Sequence, residues 1–176
     1  MILCPRVFLS YAHESVAHKK WVIQLATWLR VRNIAVVYDY DHYRGRHLTS
    51  TTAAIMAFIQ RMQCCHAFIP IFTPTYLAGI GHGPRPDVPP DKPDSQWVFD
   101  EFQLSLQLGA AKRIETVPIL RAGDLDALPR PFCATNTLDL RTSTDLGEKL
   151  NRLAMYLLFD RFRAVVPFLD EQFAAG

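Results

Sequence analysis

Two hydrophobic periods alternate along the chain. Short runs that are almost wholly apolar are separated by longer segments in which apolar residues return every three or four positions. Arg6 to Tyr11 (RVFLSY) is the first short run and has strand propensity. Trp21, Val22, Leu25, Trp28 and Leu29 then recur at helical spacing and predict an amphipathic helix over residues 18–32. Ile34 to Tyr38 (IAVVY) is apolar throughout, as expected of a parallel strand covered on both faces. Beyond a polar loop, Ile55, Phe58, Ile59 and Met62 mark a second helix. Ala67 to Phe72 (AFIPIF) predicts a third strand, although its Pro70 can donate no ladder hydrogen bond. With Ser95 as N-cap, a further helix runs through Trp97, Val98, Glu101, Phe102, Leu104 and Leu108 and stops at Gly109. Thr116 to Leu120 and Thr137 to Leu140 predict a fourth and a fifth strand, and Leu146, Leu150, Leu153 and Leu157 define a final helix.

Strands that alternate with helices argue for an α/β protein whose parallel sheet carries helices on both faces. Right-handed crossovers then leave few topologies. The natural one is a flavodoxin-like, three-layer fold with five parallel strands in the order 2-1-3-4-5. The domain is expected to occupy residues 1–160. Residues 161–176 stay apolar (Phe162, Val165, Val166, Phe168, Leu169, Phe173). They are read as an extension that packs on the domain or leads to a partner or a following domain. Between Ala78 and Asp94 lie five prolines and three glycines, which predict a long irregular loop of the kind often tied to function.

Composition narrows the class. A length of 176 residues suits one domain, and 49% hydrophobic against 20% charged residues is globular. The formal net charge is only +2, without the basic excess of a nucleic-acid binder. The one short basic cluster is His42, Arg44, Arg46 and His47. Cys4, Cys64, Cys65 and Cys133 match no zinc spacing, and no metal is expected. Pro5 and Arg6 interrupt the apolar start before a signal peptide could form, and no apolar run is long enough to span a bilayer. Reduced thiols in a cytoplasm, away from membranes and nucleic acid, are the expectation.

In open α/β sheets ligands bind beyond the carboxyl ends of the strands, where strand order reverses. That crevice falls between the first and third strands. Tyr11, Ala12 and His13 follow the first, and Thr73, Pro74 and Tyr76 follow the third. The helix opening at Ser95 comes next, so its first turns can overhang the crevice. Trp97 and Glu101 are four apart, which makes an aromatic ring and a carboxylate neighbours on one helical face.

These segments carry a resemblance. Phe8-Leu9-Ser10-Tyr11 resembles the first strand of TIR domains, and Val37-Tyr38-Asp39 followed by Gly45 their second strand and BB loop. Thr73-Pro74-Thr75-Tyr76 is similar to the family's segment after the third strand. Trp97-Val98-Phe99-Asp100-Glu101 is similar to its W-V-x-x-E motif, and Val117-Pro118-Ile119-Leu120 to its fourth strand. His13-Glu14-Ser15 with His18-Lys19-Lys20-Trp21-Val22 resembles a SEFIR-like bacterial subgroup. The five motifs run in the family's order from about Arg6 to Arg141.

The resemblance implies one of two roles. Some TIR domains cleave NAD at the nicotinamide–ribose bond, giving nicotinamide and ADP-ribose or a cyclic isomer, and they carry a glutamate where this chain has Glu101. Others are adaptors that only bind further TIR domains. In the first role NAD is a substrate and no cofactor is needed. Glu101 is then the catalytic group, and Trp97 stacks on a substrate ring. Tyr11, Ala12, His13, Thr73 and Tyr76 line the crevice. The BB loop gates it through Asp39, Arg44, Gly45 and Arg46, the arginines suiting a pyrophosphate. The setting implied is bacterial immune or effector signalling, with activation by self-assembly. Against this, a lone helical glutamate is ordinarily a solvated surface residue, Trp97 can instead be core, and the Asp39 to Ser50 segment can be a plain polar loop. Two other classes lack their chemistry. A phosphate receiver needs acidic residues after the first strand and an aspartate after the third. A serine hydrolase needs G-x-S-x-G, which does not occur.

Overall fold

The computed structural model describes residues 4–38, 60–82, 94–132, 137–142 and 144–160, and within them the side chains of all but 94–97, 131 and 160. The sheet begins with β1 (Arg6–Ser10), whose residues after Arg6 are all buried. Helix α1 (Val16–Val31) follows, its first turn capped by Ser15, which accepts a hydrogen bond from the His18 N–H. The chain returns through β2 (Ala35–Val37) and later enters β3 (Ala67–Phe72), buried at all six positions. A short helix α2 (Pro74–Gly79) and a long helix α3 (Asp94–Ala110) come next. Two strand segments, β4 (Glu115–Thr116) and β5 (Ile119–Leu120), precede β6 (Leu138–Asp139) and helix α4 (Leu146–Met155), which runs into a π-helical turn, Tyr156–Asp160.

All strand pairs are parallel, and the sheet order is β2-β1-β3-β5-β6, with β4 also on β3. This is the 2-1-3-4-5 order expected from the sequence, with the fourth strand in two pieces. The break has a cause. Phe68 lies opposite Thr116 and Phe72 opposite Leu120, so the register sets Pro70 opposite Pro118. Phe68 accepts from the Val117 N–H, but Pro70, facing the same side, has no N–H to return, so the ladder loses a rung there while its register continues. Pro118 faces β6, where its carbonyl accepts from the Leu138 N–H.

Side chains of β1 and β3 alternate between two cores, as a pleated strand requires. Val7, Leu9, Ala67, Ile69 and Ile71 pack with Val22, Leu25 and Leu29 of α1 and Leu153 of α4. Phe8, Phe68 and Phe72 pack on the other face with Tyr76 of α2 and Val98, Phe102 and Leu108 of α3. The sheet is therefore covered on both faces, and the apolar side chains of β1 alternate between them.

Several boundaries differ from the sequence reading. Helix α3 starts at Asp94, so Ser95 sits inside its first turn rather than capping it. Helix α2 is an element the hydrophobic pattern did not predict. Thr73 caps it by accepting from the Tyr76 N–H at 3.1 Å, and Pro74 occupies its first turn. Of the helix expected around Ile55 to Met62, only the end at Gln60 and the 3-10 turn Arg61–Cys64 fall within the described residues. The Asp39 to Ser50 loop, most of the Pro/Gly-rich loop and the 161–176 extension lie outside them. No helix among the described residues is long and apolar enough to cross a membrane.

The carboxyl rim of the sheet is tied together near Gly123. The Arg141 guanidinium grips Asp139 and donates to the Gly123 carbonyl at 3.0 Å. Gly123 has φ +96°, and a Cβ placed on it would lie 3.2 Å from Cγ of Pro74, the residue that opens α2. Gly123→Ala is expected to cost roughly 2 kcal/mol, from left-handed backbone strain plus that contact. Urea unfolding against wild type is the check.

Candidate functional site

The site is assembled where β1 ends beneath α3. Along β1 the face that carries Phe8 continues to Ser10, so the Ser10 hydroxyl points toward α2 and α3. On α3 the buried stripe is Val98, Glu101, Phe102, Ser105 and Leu108, the three-and-four spacing of one helical face. Four of these suit a core. Glu101 is an ionisable group on that apolar stripe, only 8% exposed. A carboxylate is seldom placed there without a partner, because burying an unpaired charge is costly.

One partner is Ser10. The Ser10 hydroxyl donates to Glu101 Oε2 at 2.5 Å, and Ser10 Oγ also lies 2.9 Å from Tyr76 Oη. All three side chains are buried, Tyr76 completely. The groups come from β1, α2 and α3, so the bonds tie three elements together at the carboxyl edge of the sheet. Around them the Phe72 ring meets Tyr76 edge-on at 5.4 Å and packs against Phe102 and Phe132. Burial pushes the Tyr76 phenol well above its ordinary pKa; the Glu101 charge adds to that and the Ser10 hydrogen bond opposes it. The phenol therefore stays protonated and remains a donor.

The residues singled out from sequence are distributed unevenly. Glu101 and Tyr76 meet through Ser10. Thr73 is fully buried, and its hydroxyl caps α2. Ala12 follows the same face as Ser10 and is buried, while His13 is exposed in the turn after β1. Tyr11 belongs to the opposite core, with the α1 side chains. Trp97 lies in α3 one turn before Glu101, and its side chain is outside the described residues, as are Asp39, Arg44, Gly45 and Arg46 entirely. Ser10 was not singled out. Its signal was the period-two alternation of β1, which turns a serine inward at a position where the neighbouring pattern calls for an apolar residue. Among the described residues no group of side chains suits a metal ion.

On the other face, Tyr11 leads into a second polar cluster. His18 is buried on α1 and lies between the rings of Tyr11, at 5.9 Å, and Trp21, at 6.4 Å. Its Nδ1 is 3.4 Å from Glu14 Oε1, and its Nε2 has no hydrogen-bond partner among the described residues. Burial lowers the His18 pKa from 6.5, Glu14 opposes this, and Arg121 and His13 reinforce it. Folded His18 therefore stays neutral at a pH where the unfolded chain has begun to bind a proton. Stability should fall as pH drops below about 6.5 toward the lower folded value. His18→Gln should flatten that slope between pH 7.5 and 5.5, as read from urea midpoints.

The sequence model of one family, described as "TIR domain", matches residues 7–154. No curated protein matches the chain. One similar solved structure is that of the TIR domains of the activated Roq1 resistosome directly recognizing the pathogen effector XopQ. It has a TM-score of 0.48 and 17% sequence identity, covering 88% of this chain and 81% of that chain. The family match runs from β1 into α4 and so takes in the whole sheet and the helix that carries Glu101. This chain belongs to the TIR domain family.

Proposed function

We propose that the chain cleaves NAD at the nicotinamide–ribose bond, with Glu101 as the catalytic carboxylate. The observation that carries this reading is the placement of Glu101: an acid on an apolar helical stripe, hydrogen-bonded by the last residue of β1. It stands at the carboxyl edge of the sheet, where open α/β folds bind ligands.

The chemistry asks little more of the protein. Nicotinamide leaves as a neutral molecule from a cationic pyridinium, so no acid has to protonate it. Positive charge develops on the ribose as the bond stretches, giving an oxocarbenium-like transition state. A preorganised carboxylate beside the ribose opposes that charge and can hold its hydroxyls. This differs from the paired acids of most glycosidases. Capture of the ribosyl cation by water gives ADP-ribose, and capture by a group of the adenosine half gives a cyclic isomer.

In this reading Trp97 stacks on a ring of the substrate, worth about 1 kcal/mol beyond area burial. Ala12 and His13 border the ribose side, whereas Tyr11, expected there, packs into the opposite core with α1. Arg44 and Arg46 of the BB loop meet the pyrophosphate, and Asp39 and Gly45 belong to the same substrate-binding loop. Thr73 and Tyr76, wholly covered, support the wall from behind. NAD is a substrate, and no cofactor is required. The proposed setting is a bacterial immune or effector system in a cytoplasm, a compartment in keeping with the free thiols of Cys4, Cys64 and Cys65. Activity is proposed to rise when copies assemble through the BB loop, as resemblance to catalytic members of the family suggests.

Nicotinamide release at increasing protein concentration tests both parts. Release that climbs more steeply than linearly supports an enzyme activated by self-assembly, whereas strict proportionality removes the assembly step. Silence at every concentration favours an adaptor that works through TIR–TIR contact.

A further inference from the structure

Ser10 has one hydroxyl hydrogen, and that hydrogen is used on Glu101 Oε2 at 2.5 Å. The 2.9 Å contact between Ser10 Oγ and Tyr76 Oη therefore has a direction: Tyr76 donates and Ser10 accepts. We propose that Tyr76 and Ser10 form a directed chain of hydroxyls, Tyr76 to Ser10 to Glu101, that favours the charged form of the Glu101 carboxyl and fixes the orientation of its Oε2. Both are positioning residues: they act on the reaction through Glu101. The catalytic consequence rests on the function proposed above, whereas the chain itself is a property of the fold and has its own readout.

Three features give the chain its bias. The hydrogen bond from Ser10 stabilises the charged form of the acid more than the neutral form. Tyr76 is fully buried, with Ser10 as its hydroxyl's partner among the described residues. Burial and the nearby carboxylate also hold its phenol in the protonated, donating state. If Glu101 took up a proton and donated it back to Ser10, the Ser10 hydrogen would have to turn toward Tyr76. The Tyr76 O–H would then lose its acceptor inside the core, where an unmade hydrogen bond is costly. Reversing the chain is therefore opposed, Ser10 remains a donor to Oε2, and that hydrogen bond favours the charged form of the acid.

The geometry also explains why these groups are where they are. Ser10 and Tyr76 are 66 residues apart, and Ser10 and Glu101 are 91 apart. Tyr76 is held by the Thr73 cap on its own N–H and by the edge of the Phe72 ring. Its hydroxyl is thus presented by a short, well-anchored helix rather than by a loose loop. An apolar residue at either position would fill the core as well. The two hydroxyls are accounted for by what they do to the acid.

The test is a carbon-13 titration of the Glu101 side-chain carboxyl in the full chain, its signal assigned by its loss in Glu101→Gln. Ser10→Ala should raise the Glu101 titration midpoint by about one pH unit, as expected for loss of a hydrogen bond to a carboxylate. Tyr76→Phe, which keeps the ring, should raise it by a smaller amount, and Ser10→Thr, which keeps the hydroxyl, should restore it. The acid limb of kcat for NAD should move up with the midpoint, with KM little changed. A midpoint unaltered in both Ser10→Ala and Tyr76→Phe overturns the chain. If Ser10→Ala fails to fold, Tyr76→Phe decides alone, because it leaves the packing intact. A midpoint that moves while no form of the protein releases nicotinamide keeps the chain and defeats the NAD reading.

Discussion

Glu101→Gln is expected to lower kcat/KM for NAD by about a thousandfold, equal to ~4 kcal/mol of transition-state stabilisation, while the chain keeps nearly its wild-type melting temperature. Glutamine has the same shape, and its amide oxygen can still accept the hydrogen bond that Ser10 gives to Glu101. What it lacks is the charge that opposes the developing oxocarbenium. A purely structural acid predicts a different pair of results. Removing a charge from a group only 8% exposed would then change stability and leave turnover alone. Loss of turnover at constant stability is thus the signature of a residue kept for chemistry, and steady-state kinetics with a thermal melt on the same sample give both quantities.

The second large effect concerns the frame that holds this acid. Phe72→Ala is expected to destabilise the chain by about 4 kcal/mol, the range for a large aromatic deleted from a packed core. Phe72 is fully buried at the end of β3, and its ring touches those of Tyr76, Phe102 and Phe132. Two of those neighbours flank the site, one on α2 and one on α3 beside Glu101. The void would loosen both helices against the sheet. For a domain of this size the loss corresponds to a fall of roughly 10 °C in Tm. Phe99→Ala on the outer side of α3, where the ring is 38% exposed, should cost under about 1 kcal/mol and serves as the control. Equal effects of the two substitutions would mean that the Phe72 cluster does not anchor the site.

Much of this architecture was legible because its periods are strong. The short β-rich runs announced β1, β2 and β3, the wholly apolar one of β2 as a strand covered on both faces, and the three-and-four spacing announced α1, α3 and α4. The alternation of the two periods led to the observed strand order. Short elements were harder. Helix α2 has six residues, too few for a hydrophobic period, and its only signals are the Thr73 cap and Pro74 in its first turn. The fourth strand reads as continuous, and its break became visible only when the register set it against Pro70 of β3.

The site was legible in part for a related reason. Glu101 was found from the W-V-x-x-E resemblance, and its position on a stripe with Val98, Phe102 and Leu108 is a local helical property. Ser10 is different. Alternation turns it inward with Phe8, yet nothing local says which helix covers that face. Its meeting with Glu101 is set by the crossover that lays α3 over β1, a tertiary event spanning 91 residues. Tyr76 was placed in the crevice from its position after β3. Its full burial behind Ser10 follows from α2, the element that local pattern did not show.

The most direct measurement of the central claim is proton NMR of NAD incubated with the concentrated chain, followed in time. The account predicts free nicotinamide accumulating in step with ADP-ribose or a cyclic isomer, with neither formed by Glu101→Gln. Intact NAD at every protein concentration, or equal cleavage by the wild type and Glu101→Gln, would contradict it.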